Sequence, residues 1–448
     1  MLNPLPLPLN TPEITQQLPG GLLRRSVLPN GVRVLTEAIP GSRSASIGFW
    51  IGVGSVDEQE TSANLAGSLG STHFLEHLLF KGTATKSAYD IASAFDRMGA
   101  DHNALTAKEH TCYHAKVRDA DLPRALSLLT EMVCASVLDK NEFETERGVI
   151  LEELAMAADD LSDVAHEKFF ETVLAGDPLA WPIGGTPEII RAVDRDSVWQ
   201  HYQSRYTPGA LVVTVAGAVN HDAFVAQLAA ELDKIGEKWA TSNSGAPLPR
   251  RKIEQNLDIE SLPFLPVQRD SEQVHLLLGG QSFVKLDERR FAISLLNSIL
   301  GGGMASRLFQ EIREKRGLAY TTYSFNASYS AGGAFGIYAA CAPENAQQVA
   351  QIVDDELAKI ASEPVADAEL ERALGQISGS STLGLEDSEA RMARLGYAEL
   401  GSGEFWELEA SLARLNAVTK ADITAVAADL REQAGSRVVV GDIQKAGF

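Results

Sequence analysis

The sequence predicts an α+β protein of two similar domains, each a mixed or antiparallel sheet with helices packed on one face. Three observations lead to this prediction. The chain has 448 residues, more than a single hydrophobic core usually supports. A segment rich in Gly, Ser, Pro and charge, residues 236–252, separates two halves. The order of strands and helices recurs after this segment, although the halves share little residue identity.

The first half is predicted to consist of an N-terminal arm, residues 1–24, and a domain over residues 25–235. The arm is apolar but broken by prolines. Residues 27–35 alternate around Asn30-Gly31, which is the pattern of a β-hairpin. Further strands are predicted over residues 45–53, 104–117 and 211–217, and helices over residues 72–80, 87–98, 121–136 and 141–158.

The second half is predicted to follow a linker, residues 236–257, and to form a domain over residues 258–448. An alternating pattern over residues 319–340 indicates a hairpin. Other strands are predicted over residues 273–279 and 437–441, and helices over residues 288–300, 304–315 and 345–361.

Composition excludes several classes of protein. The chain has 39 basic and 60 acidic residues, a formal charge of −21, so a nucleic acid is not an expected partner. The N-terminus has no basic region before Arg24, and no apolar run is long enough for a membrane span. The three cysteines form no Cys-x-x-Cys pair. We therefore expect a cytoplasmic protein with no membrane association.

The segment His73-Phe74-Leu75-Glu76-His77 is the strongest chemical motif in the chain. On a helix, residues three and four apart share a face, so both histidines can bind one metal ion beside Glu76. Catalytic zinc takes about three protein ligands and a water, and a nearby carboxylate removes a proton from that water. Glu76 is the natural base, and a third ligand is still required. The competing interpretation is a helix whose two histidines pair with a glutamate and bind no metal.

The residues around this motif, Gly70 to Thr83, resemble the active-site signature of the pitrilysin family of zinc metallopeptidases, the inverzincins. That family includes insulin-degrading enzymes and mitochondrial processing peptidase, and the chain is most similar to its short, two-domain members. The resemblance extends from about residue 27 to the C-terminus. Further matching segments are residues 99–109, 146–153, 177–186 and 313–320.

The resemblance implies the remaining site residues. Five acidic residues could supply the third zinc ligand, and the family's spacing selects Glu153 from Glu142, Glu144, Glu146, Glu152 and Glu153. Glu146 lies seven residues before Glu153 and shares its helix face, whereas Glu152 points about 100° away. Glu146 is then expected to orient a ligand or the water, and the alternative is a plain solvated acid.

The resemblance also implies how substrate binds. An extended peptide would add a strand to a sheet edge near Asn103 and Ala104. Arg313 and Tyr320 would donate hydrogen bonds to the substrate carbonyl and stabilise the developing oxyanion. In a protein outside this family, Arg313 would be one more solvated charge on a helix.

The expected function is that of an endopeptidase with one Zn²⁺ per chain, acting on short or unfolded peptides. Family members enclose substrate in a clamshell chamber of four such domains, and this chain supplies two, half of a chamber. A homodimer is therefore expected, in which Arg313 and Tyr320 complete the zinc site of the other chain. The alternatives are a non-catalytic scaffold of the same fold and a peptidase dedicated to one precursor. The segment Gln59 to Leu69 is longer than is typical of the family, so the loop bordering the site is not predicted.

Overall fold

The computed structural model describes residues 3–59, 67–253 and 261–448, and it confirms the α+β class. Among these residues the strands are β1 (Leu5–Pro6), β2 (Glu13–Leu18), β3 (Gly21–Val27), β4 (Arg33–Ala38), β5 (Ser44–Ile51), β6 (Asp101–Thr106), β7 (Thr111–Arg118), β8 (Leu211–Gly217), β9 (Phe264–Gln268), β10 (Val274–Ser282), β11 (Ala319–Ser328), β12 (Gly333–Cys341), β13 (Glu404–Phe405) and β14 (Ser436–Gly441).

The helices of the described residues follow the same alternation in both halves. They are α1 (Ser71–Leu78), α2 (Ala88–Met98), α3 (Leu122–Ala135), α4 (Lys140–Asp159), α5 (Leu161–Val173), α6 (Pro187–Ala192), α7 (Arg195–Arg205), α8 (His221–Ile235), α9 (Arg290–Gly301), α10 (Ala346–Ser362), α11 (Asp367–Gly384), α12 (Ser388–Tyr397), α13 (Leu408–Asn416), α14 (Lys420–Gln433) and α15 (Ile443–Ala446).

The first sheet has the strand order β2-β3-β4-β8-β5-β7-β6. Strands β4 and β8 run parallel and the other neighbours are antiparallel, so the sheet is mixed. The predicted hairpin is present as β3 and β4, and Gly31 in its turn has a φ of +92°, a value that side chains rarely permit. The segment predicted as one strand over residues 104–117 is instead the hairpin β6–β7, with a turn at residues 107–110.

The structure corrects the prediction that residues 1–24 form an N-terminal arm. Strand β2 pairs with β3 along its whole length, and β1 pairs with β13 from the second half of the chain. Leu7 and Leu18 are buried. The sequence hid these strands because β2 is an edge strand with mostly exposed or half-buried side chains, and the partner of β1 lies about 400 residues away.

The second sheet has the order β11-β12-β10-β14-β9, with β9 and β14 parallel and the other neighbours antiparallel. The predicted hairpin over residues 319–340 is β11–β12. Helices α9, α10 and α14 cover one face and form a continuous apolar core with β10 and β12. The two halves therefore share an arrangement of strands and covering helices, as predicted.

The opposite face of each sheet is covered by a helix from the other half of the chain. Helix α12 packs on β4, β5 and β8, where Met392 and Leu395 join the apolar cluster around Trp50. Helix α5 packs on β10 and β14, where Phe169 contacts a cluster that includes Leu277. The sequence did not predict this exchange, and it makes each domain depend on the other for burial of apolar side chains.

The linker predicted over residues 236–257 is described as far as residue 253. Its first part packs on the first domain: Trp239 is buried, the backbone N–H of Gly245 donates to the Pro29 carbonyl at 2.9 Å, and that of Leu248 donates to Gly209 at 2.8 Å. Residues 254–257, and residues 60–66 of the loop singled out before the metal-binding motif, lie outside the described residues.

Across the ranges that the structure describes, no helix is both long and apolar enough to cross a membrane.

Candidate metal centre and active site

Helix α1 presents the His-x-x-Glu-His motif from a tightly held N-terminus. Gly70, the residue before the helix, has a φ of +83° and lies so close to Gly184 that a Cβ would be 2.7 Å from its carbonyl oxygen. The buried carboxylate of Glu58 accepts hydrogen bonds from the backbone N–H groups of Gly70 (2.8 Å) and Thr72 (2.6 Å). Burial raises the pKa of Glu58 to about 8, although its hydrogen bonds with Thr72 and Gly70 act against that rise. These contacts fix the direction in which His73 and His77 leave the helix.

Helix α4 lies against α1 and brings Glu153 to the two histidines. The Nε2 atom of His73 is 3.7 Å from one carboxylate oxygen of Glu153, and the Nε2 atom of His77 is 3.4 Å from the other. One ligand atom from each of the three residues lies within 4.8 Å of the others. The structure thus brings together the three residues expected to bind metal, and their role as ligands remains a prediction.

Glu146 lies seven residues before Glu153 on α4 and forms a hydrogen bond with the second histidine, His77. Its carboxylate is 2.8 Å from Nδ1 of His77, and its other oxygen is 2.6 Å from Nζ of Lys81. The side chain is 4% exposed, which excludes the alternative of a solvated acid. Because a carboxylate only accepts hydrogen bonds, Nδ1 of His77 carries a proton, and Nε2 is the ring atom that faces Glu153.

The charges around the histidines shift their pKa values in opposite directions. Burial, together with the charge of His77, lowers the pKa of His73, so its imidazole is neutral and has a free lone pair at neutral pH. Burial also acts to lower the pKa of His77, but the hydrogen bond with Glu146 and the surrounding carboxylates outweigh it and raise that pKa. Burial alone would raise the pKa of Glu146, whereas its bonds with His77 and Lys81 bring it below the ordinary value.

The residues fit a zinc ion. Two imidazoles and one carboxylate are a ligand set of catalytic zinc, which leaves a position for water or substrate. Nδ1 of His73 is buried and has no hydrogen-bond partner among the described residues, so the ring is oriented by packing, and its Nε2 is the atom on the Glu153 side. These three residues form one set of converging ligand groups, and one Zn²⁺ per chain remains a prediction.

Glu76 lies between the two histidines on α1 and is half-buried. Within the described part of the chain its carboxylate has no hydrogen bond or ion pair, unlike those of Glu146 and Glu153. It lies three residues after His73 and one before His77 on the same helix, and its charge acts to raise the pKa of both histidines. A free carboxylate in this position can accept a proton from a water at the metal.

Asn103 and Ala104 lie on β6, which ends the first sheet. Asn103 pairs with His114 of β7 and Ala104 pairs with Tyr113, and no described strand pairs with the other side of β6. Helix α1 contacts this strand. An open edge next to the metal centre is what an extended peptide needs, although substrate binding here remains a prediction.

Arg313 and Tyr320 lie together in the second domain. The Arg313 guanidinium is 4.3 Å from the ring centre of Tyr320, and its Nη1 donates to the Tyr320 carbonyl at 3.1 Å. Tyr320 is 73% exposed at the start of edge strand β11. No hydrogen bond, ion pair or ring contact between described residues joins this pair to His73, Glu76, His77 or Glu153.

Several supporting residues were not predicted from the sequence. Glu58 precedes the motif by 15 residues and carries no recognisable signal. His201 of α7 contacts the Thr72 hydroxyl through Nε2 at 3.1 Å, again without ligand-like spacing in the sequence. Gly184 and Gly185 lie within the segment 177–186 that resembles the family. A Cβ on either glycine would be within 3.0 Å of the metal-binding helices or of Leu69 just before α1, so these glycines allow that close packing.

Comparison with known families and proteins identifies the family of this chain. The family model for insulinase (peptidase family M16) matches residues 33–187, and the model for the peptidase M16 inactive domain matches residues 192–377. A zinc protease of Streptomyces coelicolor is 42% identical over 425 residues, covering 95% of this chain and 90% of the relative. A zinc protease of Bacillus subtilis is 36% identical over 409 residues, covering 91% and 96%.

Solved structures share the fold. A protease from Helicobacter pylori matches with a TM-score of 0.82 at 21% identity, over 94% of this chain and 99% of the other. A Pseudomonas fluorescens structure described as a peptidase M16 inactive domain matches with a TM-score of 0.81 at 23% identity, over 94% and 98%. Given two adjacent family matches and relatives aligned along nearly their whole length, the chain belongs to the insulinase family of peptidases, M16, and to its short, two-domain type.

Proposed function

We propose that this chain is a zinc-dependent endopeptidase that cleaves short or unfolded peptides. The observation that carries the proposal is the convergence of His73, His77 and Glu153 beside the unpaired carboxylate of Glu76. A scaffold protein of the same fold has no need for a complete ligand set, nor for a free acid next to it.

The chain's residues have distinct tasks in this proposal. When bound, the zinc supplies a Lewis acid that lowers the pKa of the attacking water and withdraws charge from the scissile carbonyl. Glu76 accepts the proton of that water and passes it to the nitrogen of the leaving amine. Glu146 keeps the proton of His77 on Nδ1, so Nε2 stays available as a ligand.

The rest of the active site is proposed to form between two chains. Tyr320 is exposed, Arg313 is half-buried, and the two side chains are preassembled. Among the described residues they form no hydrogen bond, ion pair or ring contact with the zinc residues of their own chain. In a homodimer, Arg313 and Tyr320 of the partner subunit would donate hydrogen bonds to the oxyanion that forms at the substrate carbonyl. Enclosure between two chains would admit short or unfolded peptides and exclude folded proteins.

The compartment that we propose is the cytoplasm. Cys112, Cys134 and Cys341 are all free and buried. Unpaired thiols of this kind fit a reducing environment.

Zinc content and cleavage of a quenched fluorescent peptide library test the proposal. Glu76→Gln should keep the metal and lose turnover by roughly 10²–10⁴-fold, because only the base is removed. Glu153→Gln should lose both zinc and turnover. Glu152→Gln is the matched control: Glu152 is exposed on the same helix and should retain both.

Undiminished turnover in Glu76→Gln would overturn the mechanism. A wild-type protein that binds zinc through these residues but cleaves no peptide in the library would instead support the scaffold alternative. Cleavage of only one sequence from the library would support a dedicated processing peptidase.

A further inference from the structure

A cavity of about 750 Å³ lies between the two domains, apart from the metal centre. Its walls come from Arg33 and residues 107–110 of the first domain, residues 248–251 of the linker, and several elements of the second domain that include Tyr329 and Trp406. Of the residues described, none that forms the candidate metal centre lines it. The volume is in the range that holds small organic ligands.

One end of the cavity borders a buried cluster of three arginines around a single carboxylate. Arg25 donates to both oxygens of Glu399 at 3.0 Å through Nε and Nη2. Arg33 donates to the same carboxylate at 3.3 Å, and Arg250 at 3.1 Å. The side chains of Arg25 and Glu399 are 0% exposed and that of Arg33 is 2% exposed. Arg33 and Arg250 line the cavity.

This cluster has more positive charge than its one acid can neutralise. Within the part of the chain that the structure describes, Glu399 is the only carboxylate paired with the three guanidinium groups. Burial, with the like charges of Arg250 and Arg25, lowers the pKa of Arg33 to about 10. The Nε atom of Arg33 is also buried without a hydrogen-bond partner. Several other donors of the three guanidinium groups bond backbone carbonyls, those of Leu7, Thr11, Gly209 and Glu399. The cluster keeps an excess of positive charge that no described carboxylate pairs and one unbonded donor, and a bound anion would satisfy both.

The wall beyond the cluster is also basic. Six basic side chains, Arg33, Lys108, Arg250, Arg251, Lys285 and Arg394, line the cavity beside two acidic ones, Glu109 and Glu404. Three of these cations pair with acids: Lys285 with Glu109, Arg251 with Asp57 and Arg394 with Glu37. The buried ammonium of Lys108 is bonded to the carbonyl of Trp181. Such a concentration of cations is unexpected in a chain with a net charge of −21.

The remaining wall is apolar. Leu248, Leu286, Tyr397, Leu400 and Trp406 all border the cavity. Leu248 and Tyr397 are each 50% exposed, which is unfavourable for large apolar side chains unless something covers them. A small inorganic anion would satisfy the arginines but would leave this surface uncovered.

We propose that the cavity binds a small organic anion, a carboxylate or phosphate ester on an aliphatic or aromatic body. The anionic group lies at Arg33 and Arg250, and the apolar body lies along Leu248, Leu400 and Trp406. Because both domains contribute walls, the ligand joins them. The site is independent of peptide cleavage at the zinc centre.

Calorimetric titration of the full-length protein with octanoate, 1-octanol, acetate and inorganic phosphate tests the proposal. Octanoate has both the charge and the apolar body, so it should bind at one site, about tenfold or more tighter than each of the other three probes. Arg250→Gln should weaken octanoate binding by about tenfold or more. This variant is expected to fold, because it relieves repulsion between buried like charges and leaves two arginines on Glu399.

Two further variants keep the test decisive. Leu248→Trp fills the cavity without changing a charge and should also weaken octanoate binding. Arg289→Gln removes a surface arginine that does not line the cavity and should leave binding unchanged. The proposal would be overturned if octanoate did not bind, or if octanol bound as tightly as octanoate. It would also be overturned if phosphate or acetate bound as tightly, which would indicate an inorganic or small anion site only. Unaltered octanoate binding in both cavity variants would lead to the same conclusion.

Discussion

The burial of His201, which the sequence does not reveal, determines how this residue affects the stability of the fold. It is 2% exposed beneath the metal-binding helix, with Nε2 at 3.1 Å from the Thr72 hydroxyl. A Cβ on Gly67 would lie 2.9 Å from its Nδ1, so that ring nitrogen faces the backbone closely. Burial, and to a lesser degree the charge of Arg205, lowers the pKa of His201 to about 4.

Mild acid should therefore destabilise the fold partly through His201. As the pH falls below 6.5 the unfolded chain takes up a proton that the folded chain refuses until about pH 4. The unfolded state binds more protons in this window, so this contribution is complete above pH 6.5 and is lost as the pH falls. Between pH 7.5 and 5 the loss should be about 2 kcal/mol. His201→Gln keeps a donor or acceptor for Thr72 and should remove this part of the pH dependence.

Urea unfolding of the metal-free protein at both pH values measures the effect. The other histidines are present in wild type and variant and cancel in the difference between them. Equal pH dependence in the two proteins would show that His201 is protonated to the same extent in the folded and unfolded chains.

At the scale of single residues, burial could not be predicted from the sequence. The histidines and Glu76 were predicted from their spacing, since three- and four-residue separations put them on one helix face. Glu146 and Glu58 look like other acids in a chain with 60 of them. What distinguishes them is contact with α1 and its N-terminus from residues 12 to 69 positions away in sequence, and local periodicity carries no record of such contacts.

The N-terminus of helix α1 packs closely on the loop at residues 182–186, with glycines on both sides of the contact. Gly70 has a φ of +83°, and a Cβ there would be 2.7 Å from both the Gly184 carbonyl oxygen and Ile190. Gly176 has the same φ, but among the described residues nothing lies within 4 Å of its Cβ position. The two positions therefore share the backbone strain of a substitution and differ only in crowding.

Gly70→Ala should accordingly cost more stability than Gly176→Ala. Each alanine in the left-handed region costs about 1–2 kcal/mol, and crowding at Gly70 adds about 1–3 kcal/mol. Urea unfolding measures both, and zinc content should fall only in Gly70→Ala, because relief of the clash must move α1. Equal losses of stability in the two variants would mean that the loop yields without disturbing the helix.

At the scale of elements, the sequence predicted what local pattern encodes. The Asn30-Gly31 hairpin, the amphipathic helix α3 and the buried strand β8 follow from turn chemistry and periodicity. The turn within residues 104–117 was missed because Ala107 to His110 contains neither glycine nor proline. Strand β2 was missed because an edge strand with polar, half-exposed side chains resembles a loop.

In the whole molecule, each of the two similar halves contributes a helix to the other half. Helices α5 and α12 each cover the sheet of the other half, and the cavity with its arginine cluster lies where the halves meet. The recurrence of elements predicted the two halves, but which helix covers which sheet depends on contacts between elements roughly 100 to 350 residues apart in sequence. Gly396 of α12 illustrates this: a Cβ there would be 2.3 Å from the ring of Trp50, yet nothing near Gly396 in sequence indicates that contact.

If the active site is completed between two chains, mixed dimers of two inactive variants should regain activity, which a site within one chain would not allow. Glu76→Gln lacks the base, and Tyr320→Phe lacks a donor to the oxyanion while keeping the ring that stacks on Arg313. Each variant alone should be nearly inactive. In a mixed dimer, the zinc centre of the Tyr320→Phe chain meets the intact Tyr320 of the Glu76→Gln chain, so one of two sites is restored. Random mixing should then recover about one quarter of wild-type activity.

The matched control mixes two variants whose substitutions both lie in the zinc half of the proposed site. Glu76→Gln and Glu153→Gln both disable the zinc half of the site, so no arrangement of their chains produces a complete centre and their mixture should stay inactive. Activity is measured after the chains are mixed under conditions that allow exchange, with sedimentation to confirm dimers. If the first mixture also stays inactive although mixed dimers form, Arg313 and Tyr320 do not act across the interface. A fully active wild-type monomer would lead to the same conclusion, because in one chain the exposed Tyr320 has no described contact with the zinc residues.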